Sequence, residues 1–248
     1  YWDRVDFDDP WLVRDGAFDQ LVTRYWSKVL PQIPDTMIVE AHSLLDRVLQ
    51  AGNKDMFKYM VHHMTYASES SKIMCMDKVF VDLVNSYYRT DMVNWLNEEQ
   101  LKKILDRAED LKYTLCGNKA PNITLPDLDQ ENWVKLHDIE AKYTLICIWE
   151  STCGHCKKEM PKLERIYDEW KPRGLEIFAI GNDFEPEPWQ EYIREKELTK
   201  WVNVSDNPLI HAQDSATALL YGGVTHLESL NVRSCLVYTS PSPRDIHE

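Results

Sequence analysis

From Ala17 to Leu111 apolar residues return every third or fourth position, the period of helices with one buried face. The stretches "AFDQLVTRYWSKVL", "MIVEAHSLLDRVLQA", "KDMFKYMVHHMTYA", "DKVFVDLVNSYY" and "NEEQLKKILDRAEDL" predict five helices. Between them "LPQIPDT", "AGNKD" and "YRTDMVNWLN" supply the Pro, Gly, Asn and Asp of caps and connections, with Asn97 placed to cap the fifth helix. After Cys116 the period changes. "NITLPDL" and "NWVKLHDI" read as two short strands of a hairpin, and "YTLICIW" as a strand buried on both faces. A helix is predicted from about Cys153 to Trp170, with Met160, Leu163, Ile166, Tyr167 and Trp170 on one face. Next come a buried strand "LEIFAIG", a helix near Trp189 to Glu197 and a short strand "WVNV". Strand, helix, strand, helix at this spacing predicts a parallel sheet with right-handed crossovers. The boundary between the two patterns falls at "CGNKAPN", residues 116–122.

Composition adds limits. With 248 residues, 44% hydrophobic, the chain has enough apolar surface for two ordinary cores. Its 41 acidic and 28 basic residues give a formal charge of −13, and the basic residues are interspersed with Glu and Asp, so nucleic acid and anionic lipid are not expected partners. No apolar run reaches the ~18 residues of a membrane-spanning helix. The chain begins at Tyr1, so its first residue says nothing of a leader.

Chemistry concentrates at Cys153-Gly154-His155-Cys156, which the pattern puts between the end of a buried strand and the start of a helix. The first N–H groups of a helix lack intrahelical partners and carry the positive end of its dipole, so a thiolate there is favoured. A cysteine in that position can fall from about 8.5 into the range ~3.5–7.5. Two intervening residues let one helical turn bring Cys156 within bonding distance, where it can resolve a mixed disulfide formed by Cys153. His155 is expected to tune the pair as a cation near the thiolate, and Gly154 completes the intervening dipeptide.

Other readings of the pair stay in view. Zinc takes four ligands, and no second Cys-x-x-Cys or close histidine pair follows; His211 and His226 stand alone. Two core thiols flanking Gly-His would be inert. No metal or cofactor is therefore expected. Glu159, one turn past the dithiol, is placed to accept the resolving thiol's proton, or to be an ordinary solvated carboxylate. Pro161 falls inside the helical pattern and is expected to kink it, tilting the first turn toward the surface. Trp149, four before Cys153, is a candidate neighbour of the site or a plain core aromatic. His62 and His63 lack a third ligand, and Cys147 lies in an apolar strand. Cys75 and Cys116 could be joined in an oxidising compartment, a pairing that nothing in their spacing favours.

From Gly117 to about Asp183 these pieces together resemble the TlpA/ResA-like thioredoxin-fold oxidoreductases. The Ala120-Pro121 opening, the buried strand ending in Trp149, the dithiol and Glu159-Met160-Pro161 follow in the family's order. The resemblance maps the two redox cysteines onto Cys153 and Cys156 and the acidic residue and proline of the active-site helix onto Glu159 and Pro161. The helical half, with "KWVNVSDNP" and "LESLN", is similar to multidomain thioredoxin-like lipoproteins or secreted proteins of Bacteroidota. That likeness implies an extracytoplasmic address in the periplasm or cell envelope, a disulfide-containing client protein and an upstream thiol reductant. One departure is Thr152, where the family commonly has Trp directly before the first cysteine.

The fold class expected is therefore a two-domain α+β chain: an all-α helical domain over 1–115, then a thioredoxin-like α/β domain over 116–233. The last fifteen residues, 234–248, resemble adapter read-through and are left out of the fold. The second domain is accordingly expected to be incomplete, lacking the family's cis-proline loop, terminal hairpin and final helix. With that hairpin gone, "YTLICIW" is expected to present an exposed apolar edge, and turnover to be weak. The function expected is thiol-disulfide exchange through Cys153 and Cys156; a non-enzymatic interaction module with a structural dithiol, or a peroxide reductase, are its competitors. The second competitor usually needs a Pro-Thr loop, and Thr152 lacks the upstream proline.

Overall fold

The structure, a computed structural model, describes residues 1–206 and 236–238, the last three by their backbone alone. It divides into two compact units, Tyr1–Asn118 and Lys119–Glu248.

The first unit carries five α-helices: α1 (Gly16–Arg24), α2 (Pro34–Ala51), α3 (Lys54–Glu69), α4 (Asp77–Leu83) and α5 (Glu98–Leu111). Their starts follow from local chemistry. Asp15 and Asn53 accept from the N–H groups of Ala17 and Met56, Pro34 sits at the first position of α2, and Gly52 closes it at φ 78°. Asn97 and Gln100 cap α5 reciprocally: Asn97 Oδ1 accepts from the Gln100 N–H at 2.8 Å and Gln100 Oε1 from the Asn97 N–H at 3.2 Å. Both α1 and α4 end in a wider π-helical turn, Tyr25–Val29 and Val84–Tyr88. These turns bring Tyr25, Trp26, Tyr87 and Tyr88 into the core with Leu44, Leu45, Val48, Met60 and Phe80. A disulfide joins Cys75, in a left-handed turn at φ 71°, to Cys116, Cα to Cα 5.5 Å across 41 residues of sequence.

The second unit opens with an antiparallel pair, β1 (Thr124–Pro126) and β2 (Trp133–Lys135), Leu125 opposite Val134. The main sheet runs β5-β4-β3-β6, with β3 (Tyr143–Trp149) parallel to β4 (Leu175–Gly181) and β4 parallel to β5 (Val202–Ser205). The helices are α6 (Gly154–Trp170) and α7 (Pro186–Glu195). Alternation along the strands splits the core in two. Leu145, Cys147, Trp149, Ile177 and Ala179 pack with Met160, Tyr167, Trp189 and Ile193 of the helices. Ile146, Phe178, Ile180 and Val204 pack on the other face with Ile123, Leu125 and Leu136. Both faces of β3 and β4 are covered, which is why their sequences read as continuous apolar runs.

The far end of α6 is tied down. The Tyr167 hydroxyl lies 3.0 Å from Glu176 Oε1 and 2.9 Å from the Lys200 carbonyl oxygen, while Lys200 Nζ pairs with Glu164 at 3.1 Å and Asp168 at 2.6 Å. Among the described residues no helix is long and apolar enough to cross a membrane.

Three expectations need correction. The predicted apolar face of α6 is only partly buried: Met160 and Tyr167 are buried and Leu163 half-buried, but Ile166 is 50% and Trp170 39% exposed, because at 3.6 residues per turn they lie roughly 110° and 70° round the helix from the line through Met160 and Tyr167. Nor is β3 left with a bare edge. Residues Leu236–Tyr238, inside the segment set aside as adapter-like, form β6 and pair antiparallel with Thr144–Ile146. Leu-Val-Tyr has strand chemistry that the surrounding Ser and Pro obscured. The α7 helix stops at Glu195, short of Glu197, which takes a left-handed φ of 55°. The expectations on a cis-proline loop, on His211 and His226, and on the rest of 207–235 and 239–248 lie outside the described residues.

Candidate active site

Parallel strands place their C-terminal ends on one edge, the edge where open α/β sheets carry their sites. There β3 ends at Trp149, a turn follows through Glu150, Ser151 and Thr152, and α6 begins. Cys153 is the N-cap of α6: its N–H donates to the Glu150 carbonyl at 3.2 Å and its carbonyl accepts from the Lys157 N–H at 3.1 Å. Its Sγ takes the part that a serine or aspartate oxygen usually plays, accepting from the Cys156 N–H at 3.4 Å. Cysteine stands at a cap because the cap's N–H groups favour its anion.

Burial pushes the Cys153 thiol up, but the Cys156 N–H, the Cys156 side chain and the His155 N–H together outweigh it, so the thiol lies below its ordinary value. Cys156 behaves in the opposite way. Burial is the largest cause and the Cys153 sulfur adds to it, against a backbone hydrogen bond at Glu150, and the Cys156 thiol is pushed up to about 11. One sulfur is thus favoured as an anion and its neighbour as a proton carrier, with a hydrogen bond between the side chains.

The other sequence candidates divide. His155 and Gly154 are exposed in the first turn of α6. His155 favours the thiolate through its backbone N–H. A Cβ on Gly154 would meet nothing within 4 Å, so no close packing demands glycine there. Trp149 is fully buried beneath the turn, its ring 5.4 Å from that of Tyr192, in the cluster against which Cys156 packs. Pro161 lies inside α6, which continues through it to Trp170. Glu159 has its carboxylate on Lys162 Nζ at 2.6 Å; that hydrogen bond, with the Lys162 and His155 charges, holds it below the usual carboxylate range. A carboxylate so stabilised is a poor base toward a thiol near 11.

Two residues the sequence reading passed over complete the setting. Asp183, just past β4 and 6% exposed, accepts from the Ser151 N–H at 3.0 and 3.1 Å through its two oxygens and also from the Ser151 hydroxyl. The available clue was an aspartate closing the buried run "LEIFAIGND", at the strand end where parallel sheets place function.

The AhpC/TSA family profile matches residues 116–240, half of the chain. The chain belongs to the AhpC/TSA family. The remainder of this AhpC/TSA chain, residues 1–113, matches a domain of unknown function, DUF5106. Among curated proteins it is similar to the thiol-disulfide oxidoreductase ResA of Oceanobacillus iheyensis, 33% identical over 99 residues that make up 39% of this chain and 52% of that one. It is similar also to ResA of Halalkalibacterium halodurans, 37% identical over 78 residues, 32% of this chain and 43% of the other. The chain thus spans about half the length of the curated relatives it matches. Among solved structures, a thioredoxin-like protein from Bacteroides caccae aligns over 86% of this chain and 77% of its own length, with a TM-score of 0.61 and 20% identity, a likeness of fold. A helical region followed by a thioredoxin-like α/β domain describes the architecture.

Proposed function

We propose that the chain is a thiol-disulfide oxidoreductase that reduces disulfides of extracytoplasmic client proteins through Cys153 and Cys156. The observation that carries this reading is the Cys153 sulfur at the cap of α6, accepting the Cys156 N–H at 3.4 Å, with a second thiol beside it that holds its proton to about 11. The likeness to ResA proteins supports the same reaction class.

In the first step the Cys153 thiolate attacks one sulfur of a client disulfide; a bond forms between Cys153 and that sulfur while the client's S–S bond breaks, and the other client sulfur leaves as a thiolate and takes a proton. Cys156 then gives up its proton and attacks the Cys153 sulfur. The Cys153–Cys156 disulfide forms and the second client thiol is released, so the client gains two electrons and the chain loses two. An external dithiol reductant returns them. Loss of the Cys153 negative charge in the mixed disulfide removes one of the causes that hold the Cys156 proton, so resolution is eased once attack has occurred. Glu159 receives that proton only if it leaves Lys162.

The extracytoplasmic assignment is supported by the Cys75–Cys116 disulfide, a bond that persists in oxidising compartments. Reduction of insulin disulfides by dithiothreitol tests the activity. The parent chain should accelerate precipitation of the insulin B chain, and C153S should lower the rate to the uncatalysed background. A C153S rate equal to that of the parent would overturn the proposal.

A further inference from the structure

We infer that Asp183 is the positioning residue of the dithiol: by gripping Ser151 it fixes the turn that sets the Cys153 sulfur among the N–H groups at the start of α6. The inference rests on the exchange reading above and names a control on that site.

Its ground is geometric. The turn from Glu150 to Thr152 has to leave β3, reverse, and deliver Cys153 at a cap position, and it holds no proline to fix its backbone. Its fixed points are few. Cys153 donates its N–H back to the Glu150 carbonyl, and Thr152 donates its hydroxyl to Glu150 Oε1 at 2.6 Å, both contacts within the turn. The described hydrogen bonds that tie the turn's interior to the sheet come from Ser151, which donates both its N–H and its hydroxyl to Asp183. Asp183 follows β4 directly, and its neighbour Asn182 donates its N–H to the Trp149 carbonyl at 3.0 Å, so the carboxylate is held by the ladder between β3 and β4. Ser151 and Asp183 are 4% and 6% exposed, so a Ser151 N–H deprived of its acceptor is left buried with little water to replace it.

A carboxylate at this place works against the thiolate by charge alone. Burial, the largest cause, and the Glu150 charge push the Asp183 carboxyl up, against the Ser151 hydrogen bonds and the charge of Lys157 of α6; Glu150 and Lys157 are the charged groups that face it. A role through charge and a role through position therefore move Cys153 in opposite directions. Removing a nearby negative charge makes the thiolate easier to form. Releasing Ser151 lets the Cys153 sulfur drift from the N–H groups of Cys156 and His155 and makes it harder to form.

The test is iodoacetamide alkylation of Cys153 in the reduced full chain, followed against pH by peptide mass spectrometry, with circular dichroism to establish folding. D183A should slow alkylation at pH 7 by about tenfold, the change one unit of pKa gives. D183N keeps the shape and an acceptor for the Ser151 N–H and should stay within about twofold of the parent; S151A keeps both backbone contacts and should slow by about threefold. Where D183A does not fold, S151A decides. A folded D183A or S151A that alkylates as fast as a reactive parent, or faster, would overturn the assignment of Asp183 and leave the exchange reading standing. A parent whose Cys153 alkylates like an ordinary thiol would overturn both.

Discussion

The two cysteine pairs make an instructive contrast. Cys75 and Cys116 are brought together from 41 residues apart, in loops beside helices, and are joined. Cys153 and Cys156 are three apart, at a helix cap, and are free thiols. What distinguishes them is the company of N–H groups. The cap lowers the pKa of one sulfur of the near pair, and burial raises that of the other, a polarity suited to making and breaking bonds. The far pair restricts how widely the unfolded helical unit can spread.

The largest effect expected from that contrast is on stability. The double variant C75S/C116S should lower unfolding stability by about 2–4 kcal/mol, the usual worth of a bond closing a loop of this size, read as a fall in the urea midpoint of the helical unit. Insulin reduction at low temperature, where the variant stays folded, should remain within about twofold of the parent. A large loss of turnover in folded protein would erase the division between a structural and a reactive pair.

Two glycines sharpen the comparison further. A Cβ on Gly181, at the end of β4, would lie 2.3 Å from Trp189 Nε1, so G181A should cost about 1–3 kcal/mol by overpacking. G154A, inside the dithiol, meets open space and should leave the melting temperature within about 2 °C. An equal loss in both would mean that the first turn of α6 is packed more tightly than the structure has it.

The two thiols should also separate by pH. Cys153, depressed by N–H donors, should alkylate below the ordinary thiol range, and Cys156 should stay unreactive until the pH approaches about 11. The linkage runs accordingly. An acid depressed in the folded state adds stability above its unfolded value, so the Cys153 contribution to the reduced chain is lost as pH falls through its folded value. For Cys156 the unfolded state ionises first, and the reduced chain loses stability as pH rises toward about 11. Peptide-resolved alkylation with parallel urea titrations would measure both. The smallest effect is expected at Glu159: with its carboxylate on Lys162, E159Q should change turnover by less than about threefold. A loss of a hundredfold would make it the proton acceptor after all.

Most of the framework was legible because burial leaves a period. "YTLICIW" and "LEIFAIG" match β3 and β4 residue for residue, since strands covered on both faces are mostly apolar, Thr144 and Glu176 being their polar exceptions, and the turns at either end are not. The dithiol was legible for a related reason: a strand end followed by a helix start fixes what environment two cysteines will meet. Other features left no such trace. The π-helical turns after α1 and α4 break helical phase by a single residue, which an apolar stretch as aromatic as Tyr25-Trp26 or Tyr87-Tyr88 conceals. The Cys75–Cys116 bond depends on how α3, α4 and α5 return on one another, and the Ser151–Asp183 contact on two strand ends lying side by side 32 residues apart. Contacts of that range are written in tertiary packing and not in local spacing. Ile166 and Trp170 erred the other way, since a three-and-four spacing admits positions on the shoulder of a helix as well as on its buried line.

The mooring of α6 at Tyr167 has a mechanical meaning. Roughly 20 Å of helix separates that anchorage from Cys153. Cys153 is moored as well, through the turn that Ser151 ties to Asp183, so α6 is a strut held at both ends, and a pull applied at its first turn would be carried into the strands instead of swinging the helix.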